Sequence, residues 1–156
     1  RAARLCKNTK SRQDKMRDDL CEALKVDVNH EDKVVMLVAT EDTDPGIIGL
    51  AAMRLADWAG KPCILLREYS PGVYGGSCRN CNNSPIKDLK ALLDSTQLFN
   101  WNMGHSNAFG TEIYEENLLD ARDALNDALE NIKYDKFYSI IYYNNRNTSV
   151  CYFMYY

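Results

Sequence analysis

A lone histidine between glycines marks the stretch of this chain whose residue types are best suited to binding chemistry. Residues 100–110 read Asn-Trp-Asn-Met-Gly-His-Ser-Asn-Ala-Phe-Gly, so His105 directly follows Gly104 in a polar run. A tight turn of this kind can direct backbone N–H groups and an imidazole at one anion. The alternative is a loop histidine that only caps a backbone carbonyl. The stretch by itself leaves both interpretations open.

The composition limits the classes of protein and of partner that are open to this chain. It has 156 residues, of which 46% are hydrophobic and 26% charged, enough for one globular domain with an appendage. A net charge of −3 argues against a general nucleic-acid coat but leaves room for a local basic pocket. The apolar runs are too short to cross a bilayer and no signal peptide is evident, so we expect a cytoplasmic protein with no membrane partner. Because the chain begins at Arg1, we also expect a fragment of something longer.

The six cysteines are irregularly spaced, which favours reduced thiols over a disulfide framework. Cys78 and Cys81 form a single C-x-x-C. A structural zinc would need two more ligands at matching spacing, and the sequence does not provide them.

The periodicity of apolar residues predicts an α/β fold: a mixed, mainly parallel sheet flanked by helices, with an N-terminal connecting helix and a C-terminal β-hairpin. Two strands joined through one helix by short links should be parallel, with a right-handed crossover. Asp44 and Ser84 are the predicted N-caps of the second and third helices. The predicted helices cover residues 2–24, 45–59, 86–93 and 117–132, and the predicted strands cover residues 33–40, 63–67, 73–79 and 108–115.

Glycines occur at two places where a helix or strand former would be expected. Gly46 and Gly49 leave the start of the second helix thin, so that it can either admit a phosphate or pack closely on a sheet. Gly75 and Gly76 lie in the third strand, where close approach of another backbone or of a ligand is the usual cause.

Four segments, taken in their order along the chain, resemble the DHH-associated domain of the RecJ-like exonucleases. They read D-P-G-I-I-G-L-A-A-M-R-L, K-P-C-I-L-L, G-G-S-C-R-N and M-G-H-S-N-A-F-G. Each segment alone is a weak signal, but the four in this order are specific, and the match runs from about residue 33 to residue 132. The chain departs from the family pattern at Thr43, Asn80 and Met103, and Met103 would narrow the turn before His105.

The resemblance implies a division of the chain and a set of binding residues. Residues 1–30 would be a connecting helix from a missing upstream catalytic domain, residues 31–133 the DHH-associated nucleic-acid-binding domain, and residues 134–156 an aromatic β-hairpin extension that is structural or mediates self-association. In the family this domain faces the metal-dependent DHH domain and grips the nucleic-acid strand. Carried over by position, the phosphate-binding residues are Gly76, Ser77, Arg79, Asn80, Gly104 and His105, with no catalytic or metal-binding residue in this chain.

The chain has no D-H-H triplet, so we do not expect it to hydrolyse phosphodiesters alone. The resemblance implies manganese or magnesium in the missing catalytic domain. The leading hypothesis is the single-stranded DNA-binding part of a RecJ-like 5′ to 3′ exonuclease. The alternatives are part of a DHH phosphoesterase acting on cyclic dinucleotides or short oligonucleotides, or a non-catalytic nucleic-acid-binding scaffold. The expected partner is single-stranded DNA, with RNA or a dinucleotide as the alternatives. Trp101, Phe109 and Tyr114 can stack on bases or pack in a core, and we expect Phe109 to be core.

Overall fold

A five-stranded sheet forms the centre of the molecule in a computed structural model that describes residues 2–133. The strands are β1 (Val35–Ala39), β2 (Cys63–Ser70), β3 (Val73–Arg79), β4 (Trp101–His105) and β5 (Ala108–Tyr114), side by side in the order β1-β2-β3-β5-β4. The helices are α1 (Ala2–Leu24), α2 (Pro45–Ala59), α3 (Leu89–Thr96) and α4 (Leu118–Ala128). The mixed α/β class and the N-terminal helix are thereby confirmed. The predicted C-terminal hairpin lies outside the described residues.

The sheet is mainly antiparallel, which corrects the prediction of a mainly parallel one. β1 and β2 are parallel, as the strand-helix-strand pattern predicted, whereas the pairs β2–β3, β3–β5 and β5–β4 are antiparallel. The reason is loop length. Two residues join β2 to β3 and two join β4 to β5, and a parallel connection needs a dozen or more.

Residues 101–105 form a strand where the sequence predicted a loop. β4 pairs with β5 from Trp101 opposite Glu112 to His105 opposite Ala108, so the histidine lies at the end of a β-hairpin. Gly104 has φ of 135°, and a β-carbon there would lie 2.9 Å from the Cα of Phe109. A side chain is therefore excluded by the neighbouring strand as well as by the backbone conformation.

An aspartate caps the start of both α2 and α3, but only the cap of α2 agrees with the prediction. Asp44 caps α2 as predicted, and its Oδ1 accepts a hydrogen bond from Gly46 N at 2.8 Å. The third helix begins three residues later than predicted, because Asp88 rather than Ser84 is its N-cap and accepts from Ala91 N at 2.8 Å. The Ser84 hydroxyl instead accepts from Ile86 N within the preceding loop.

Two hydrophobic cores lie on opposite faces of the sheet. The first is built between β1, β2, α1 and α2, and the second between β2, β3, β5, α3 and α4. We call the face that packs on α2 the α2 face. No residue of β4 or β5 belongs to the first core, so the α2 face is left open over these two strands in the described part of the chain. None of the described helices is both long and apolar enough to cross a membrane.

Candidate nucleic-acid interface

The strand register brings three of the predicted site residues onto the α2 face, two of them in β3 beside α2 and one in the open part on β4. Arg79 of β3 lies opposite Ala108 of β5, and Ala108 lies opposite His105 of β4, so the three form one row across the sheet. Ser77, two residues before Arg79, points to the same face in the next row. Since neighbouring strands are about 5 Å apart, the backbones at Arg79 and His105 are separated by roughly 10 Å.

Arg79 is half-buried and holds its charge without a carboxylate partner. Its Nη1 donates to two backbone carbonyls, that of Cys78 at 2.8 Å and that of Phe109 at 3.4 Å. None of the ion pairs found within residues 2–133 involves Arg79. Neutral carbonyls fix the direction of the guanidinium but leave its positive charge available, which suits a phosphate taken by parallel N–H bonds.

Close packing of α2 on β3 fixes the position of Arg79. A β-carbon built at Gly49 would lie 2.8 Å from Arg79 Nη2 and 3.4 Å from Ser77 Oγ. Of the two interpretations of this glycine, close packing on the sheet is the one observed. The first turns of α2 carry a glycine at position 49 because the Arg79 side chain occupies the space that a larger residue would need.

The side-chain amide of Asn80, predicted to bind phosphate, donates its hydrogen bonds to groups within the protein. Asn80 Nδ2 donates to Ile86 O at 2.8 Å and to Asn107 Oδ1 at 2.9 Å, which uses both amide hydrogens. Asn107 in turn donates to Lys87 O and accepts from Leu89 N. These bonds tie the β4–β5 turn to the start of α3. Asn80 therefore positions the hairpin that carries His105.

Gly76 and Gly104, also predicted as phosphate-site residues, are required by neighbouring backbone. A β-carbon at Gly76 would lie 1.9 Å from Leu65 O, in the adjacent strand β2. The corresponding atom at Gly104 would meet β5, as described above. The close approach that these glycines permit is between strands of the sheet.

The far end of the same face has three residues that no local sequence signal identifies: Tyr69, Asn100 and Glu112. Glu112 accepts hydrogen bonds from the Tyr69 hydroxyl and from Asn100 Nδ2, the latter at 2.9 Å. The bonds from Tyr69 and from Asn100 are the main cause that lowers the pKa of Glu112, and the same carboxylate raises the pKa of Tyr69. Gly75 is the sequence signal that another group packs against this part of β3. The glycine does not show that this group is Tyr69.

The interface is an open surface, and two concavities of the described residues lie elsewhere. One of about 400 Å³ lies beside Gly72, Tyr114 and the two glutamates that follow it. Another, of about 310 Å³, lies along the outer edge of β1. The first is lined by carboxylates and would repel a phosphate. A strand of nucleic acid is better suited to an open face than to either hollow.

Cys78 and Cys81 point to opposite sides of the sheet. Cys78 is buried in the core beneath α3 and α4, and Cys81 in the core beneath α2. Burial raises the pKa of both thiols, which disfavours the thiolate that zinc needs. Among the described residues no group of three or more histidine, cysteine or acidic side chains is placed to hold a metal ion.

Comparison of the sequence with known proteins finds single-strand-specific nucleases. No family model matches the chain. The chain is similar to the putative SPbeta prophage-derived single-strand DNA-specific exonuclease YorK of Bacillus subtilis, with 33% identity over 107 residues, which are 67% of this chain and 19% of that protein. It is also similar to the single-stranded-DNA-specific exonuclease RecJ of Bacillus subtilis, with 28% identity over 118 residues, 75% of this chain and 14% of that protein. The chain thus spans less than a fifth of the length of either relative.

Solved structures share the fold. RecJ from Thermus thermophilus in complex with Mn²⁺ matches with a TM-score of 0.63 and 20% identity, over 80% of this chain and 18% of that chain. The pGpG-specific phosphodiesterase PggH from Vibrio cholerae matches with a TM-score of 0.52 and 14% identity, over 80% of this chain and 42% of that chain. The sequence relatives and the shared fold together show that this chain carries a RecJ-like domain.

Proposed function

We propose that this chain is the part of a RecJ-like exonuclease that grips single-stranded nucleic acid, by holding a backbone phosphate on Arg79. The observation that carries the proposal is the state of that side chain: half-buried, fixed by two carbonyls, and without a carboxylate partner in the described part of the chain. His105 and Ser77 add donors on the same face. The names of the sequence relatives, which specify single-strand DNA exonucleases, support the choice of ligand.

In this proposal the chemistry of hydrolysis belongs to an upstream DHH domain of the same protein, with manganese or magnesium as its metal. The RecJ structures that share the fold were determined with Mn²⁺ or Mg²⁺. The residues described here would hold the strand in place while that domain acts. Asn80 is left out of the proposed phosphate contacts, because its amide hydrogens are both used within the protein.

Binding of short 5′-phosphorylated single-stranded DNA by variants of this chain tests the proposal. Arg79→Ala should weaken binding about tenfold or more, since a hydrogen bond to a charged group contributes about 1.5–3 kcal/mol. Arg79→Lys should recover part of the loss, because it keeps the charge but not the paired geometry. His105→Ala should cause a smaller loss. Arg54→Ala is the matched control, since Arg54 is an exposed arginine of α2 whose ion-pair partner is Asp18.

The dependence on salt identifies the contact as a phosphate. For a single strand the logarithm of affinity falls with the logarithm of salt by about 0.7 for each phosphate neutralised. Arg79→Ala should therefore reduce that slope by about 0.7, and the wild-type slope should itself be shallow. Unchanged affinity and slope in a folded Arg79→Ala protein would overturn the proposal. A dinucleotide bound more tightly than any longer strand would favour the cyclic-dinucleotide class of phosphoesterase.

A further inference from the structure

Two aromatic rings on the α2 face lie next to glycines of the adjacent strands. A β-carbon at Gly75 would lie 2.8 Å from Tyr69 Cε1, and one at Gly110 would lie 3.5 Å from Trp101 Cζ3. Without side chains at these two positions the rings rest on bare backbone. Their outer surfaces remain open, since Tyr69 is 50% and Trp101 41% exposed.

One carboxylate lies between the two rings and is hydrogen-bonded to the tyrosine. Glu112 lies opposite Gly75 on one side and opposite Trp101 on the other, so it sits between the two aromatic residues. It accepts hydrogen bonds from the Tyr69 hydroxyl and from Asn100 Nδ2, in the residue before Trp101. The Tyr69 ring is thereby oriented before any ligand arrives, which reduces the entropy that a binding partner would have to remove.

We propose that Trp101 and Tyr69 form a stacking platform for the bases of the single strand whose phosphate Arg79 holds, so this inference rests on the proposed function. Gly75 and Arg79 are four residues apart in β3, which places the platform roughly 13 Å along the strand from the phosphate contact. A flexible single strand can reach both. The platform accepts any base, because every base has a π face.

The charges on β4 and β5 differ between the two ends of the open face. Arg79 and His105 lie in one row of the sheet, and Glu112 lies in a row nearer its other end, with Arg67 of β2 in that row on the far side of Gly75. A phosphate beside Glu112 would meet a negative charge, whereas an uncharged base would not. A duplex cannot use the platform, since its bases are already stacked on one another. The preference for single strands would therefore be located in part in this chain.

Matched oligonucleotides with and without bases test the platform. The probes are a short 5′-phosphorylated DNA strand and an abasic strand of the same length and the same number of phosphates. Trp101→Ala should weaken binding of the intact strand about tenfold and leave binding of the abasic strand unchanged. Trp101→Phe should keep most of the affinity. The salt slope should be the same in the wild type and in both variants, because no phosphate contact is removed.

Controls separate the platform from the phosphate contact and from folding. Trp58→Ala removes the other tryptophan, which lies on α2 beside Lys25 and His30, and should not change affinity for either strand. Arg79→Ala should weaken both strands alike. An equal loss on both strands in Trp101→Ala, or none, overturns the platform, whereas no loss in Arg79→Ala overturns the proposed function. If Trp101→Ala does not fold, Tyr69→Ala provides the same comparison from the second ring.

Discussion

Gly49 of α2 and the guanidinium of Arg79 in β3 are in direct contact, close enough that a methyl group on the glycine would lie 2.8 Å from Nη2. Two of the sequence segments that carry the family resemblance are thus joined by packing. The helix segment D-P-G-I-I-G supplies the gap, and the strand segment G-G-S-C-R-N supplies the side chain that occupies it. The position of the positive charge on the open face depends on both.

Gly49→Ala should weaken binding of single-stranded DNA about tenfold without lowering thermal stability. The added methyl displaces the far end of the Arg79 side chain, while alanine in a helix is favoured over glycine by roughly 1 kcal/mol. The affinity for single-stranded DNA should therefore fall while the melting temperature stays the same or rises. In an Arg79→Met background the same glycine change should have no further effect on affinity. Equal losses in the two backgrounds would mean that Gly49 acts by another route.

Gly76→Ala should destabilise the protein far more than Gly75→Ala. At Gly76 the methyl would lie 1.9 Å from Leu65 O and 2.8 Å from Leu66 Cα, and these backbone atoms cannot move without disrupting the β2–β3 pairing. We expect a loss above about 3 kcal/mol, at the upper end for overpacking. At Gly75 the close contact of the methyl is with the exposed Tyr69 ring, and displacing that side chain costs its hydrogen bond to Glu112 but leaves the pairing of the strands intact. Urea unfolding of the two variants measures the difference, and similar midpoints would contradict it.

The contribution of Glu112 to stability should depend on pH in a defined way. Hydrogen bonds from Tyr69 and Asn100 lower its pKa, so its stabilising effect is present above the ordinary value of 4.5 and is lost as pH falls through the folded-state pKa. The pKa of Tyr69 is raised, so its donated bond persists below 10.0 and is lost as pH rises through the folded-state pKa. The difference in unfolding free energy between wild type and Glu112→Gln should be constant from about pH 6 to pH 9 and shrink outside that range.

The control for this pH series is Glu116→Gln, which changes an exposed glutamate of the 3₁₀ turn Glu115–Asn117. Its difference from wild type should not follow the same profile. If the Glu112→Gln difference grew below pH 4.5, the sign of the linkage would be reversed and the hydrogen-bonded carboxylate would not be the stabilising form.

Thiol reactivity should distinguish the cysteines by their burial. Cys6 is exposed, whereas Cys63 and Cys78 are buried in the two cores, where burial raises the pKa of both thiols. In a Cys151→Ser background, Ellman's reagent should modify Cys6 immediately and the buried pair only as fast as the protein unfolds. A Cys6→Ser variant should lose the fast phase. A fast phase that persists in this variant would mean that a core cysteine is accessible.

Local signals in the sequence predicted much of the fold. The start of α2 follows from Asp44 and Pro45, because a cap and a proline at the first turn act within a few residues. The bounds of α1 and β3 agree with the predictions for the same reason: hydrophobic periodicity and turn residues are properties of short segments. Phe109 is buried, as expected from its apolar neighbours.

Contacts between distant residues could not be predicted in this way. The sequence predicts a loop at β4 because the strand lacks the alternation of apolar and polar residues that marks a half-buried strand. Most of its side chains are exposed, so neither set of alternate residues has to be apolar. Tyr69 and Glu112 are 43 residues apart and meet only when β2, β3 and β5 are side by side. Gly75 and Gly76 indicate that another group lies close to the backbone of β3. Whether that group is a ligand, an aromatic ring or a neighbouring backbone follows only from the strand register. Contact of Arg79 and His105 with phosphate remains a prediction.

The half-exposed indole of Trp101 beside Gly110 also provides an optical probe. The chain has two tryptophans, and Trp58 lies on α2 away from the open face. Replacing Trp58 with phenylalanine would leave an indole whose emission reports only on the surface beside Glu112. Quenching of that emission on mixing would then give the rate at which a strand arrives and leaves, without any label on the protein or on the nucleic acid.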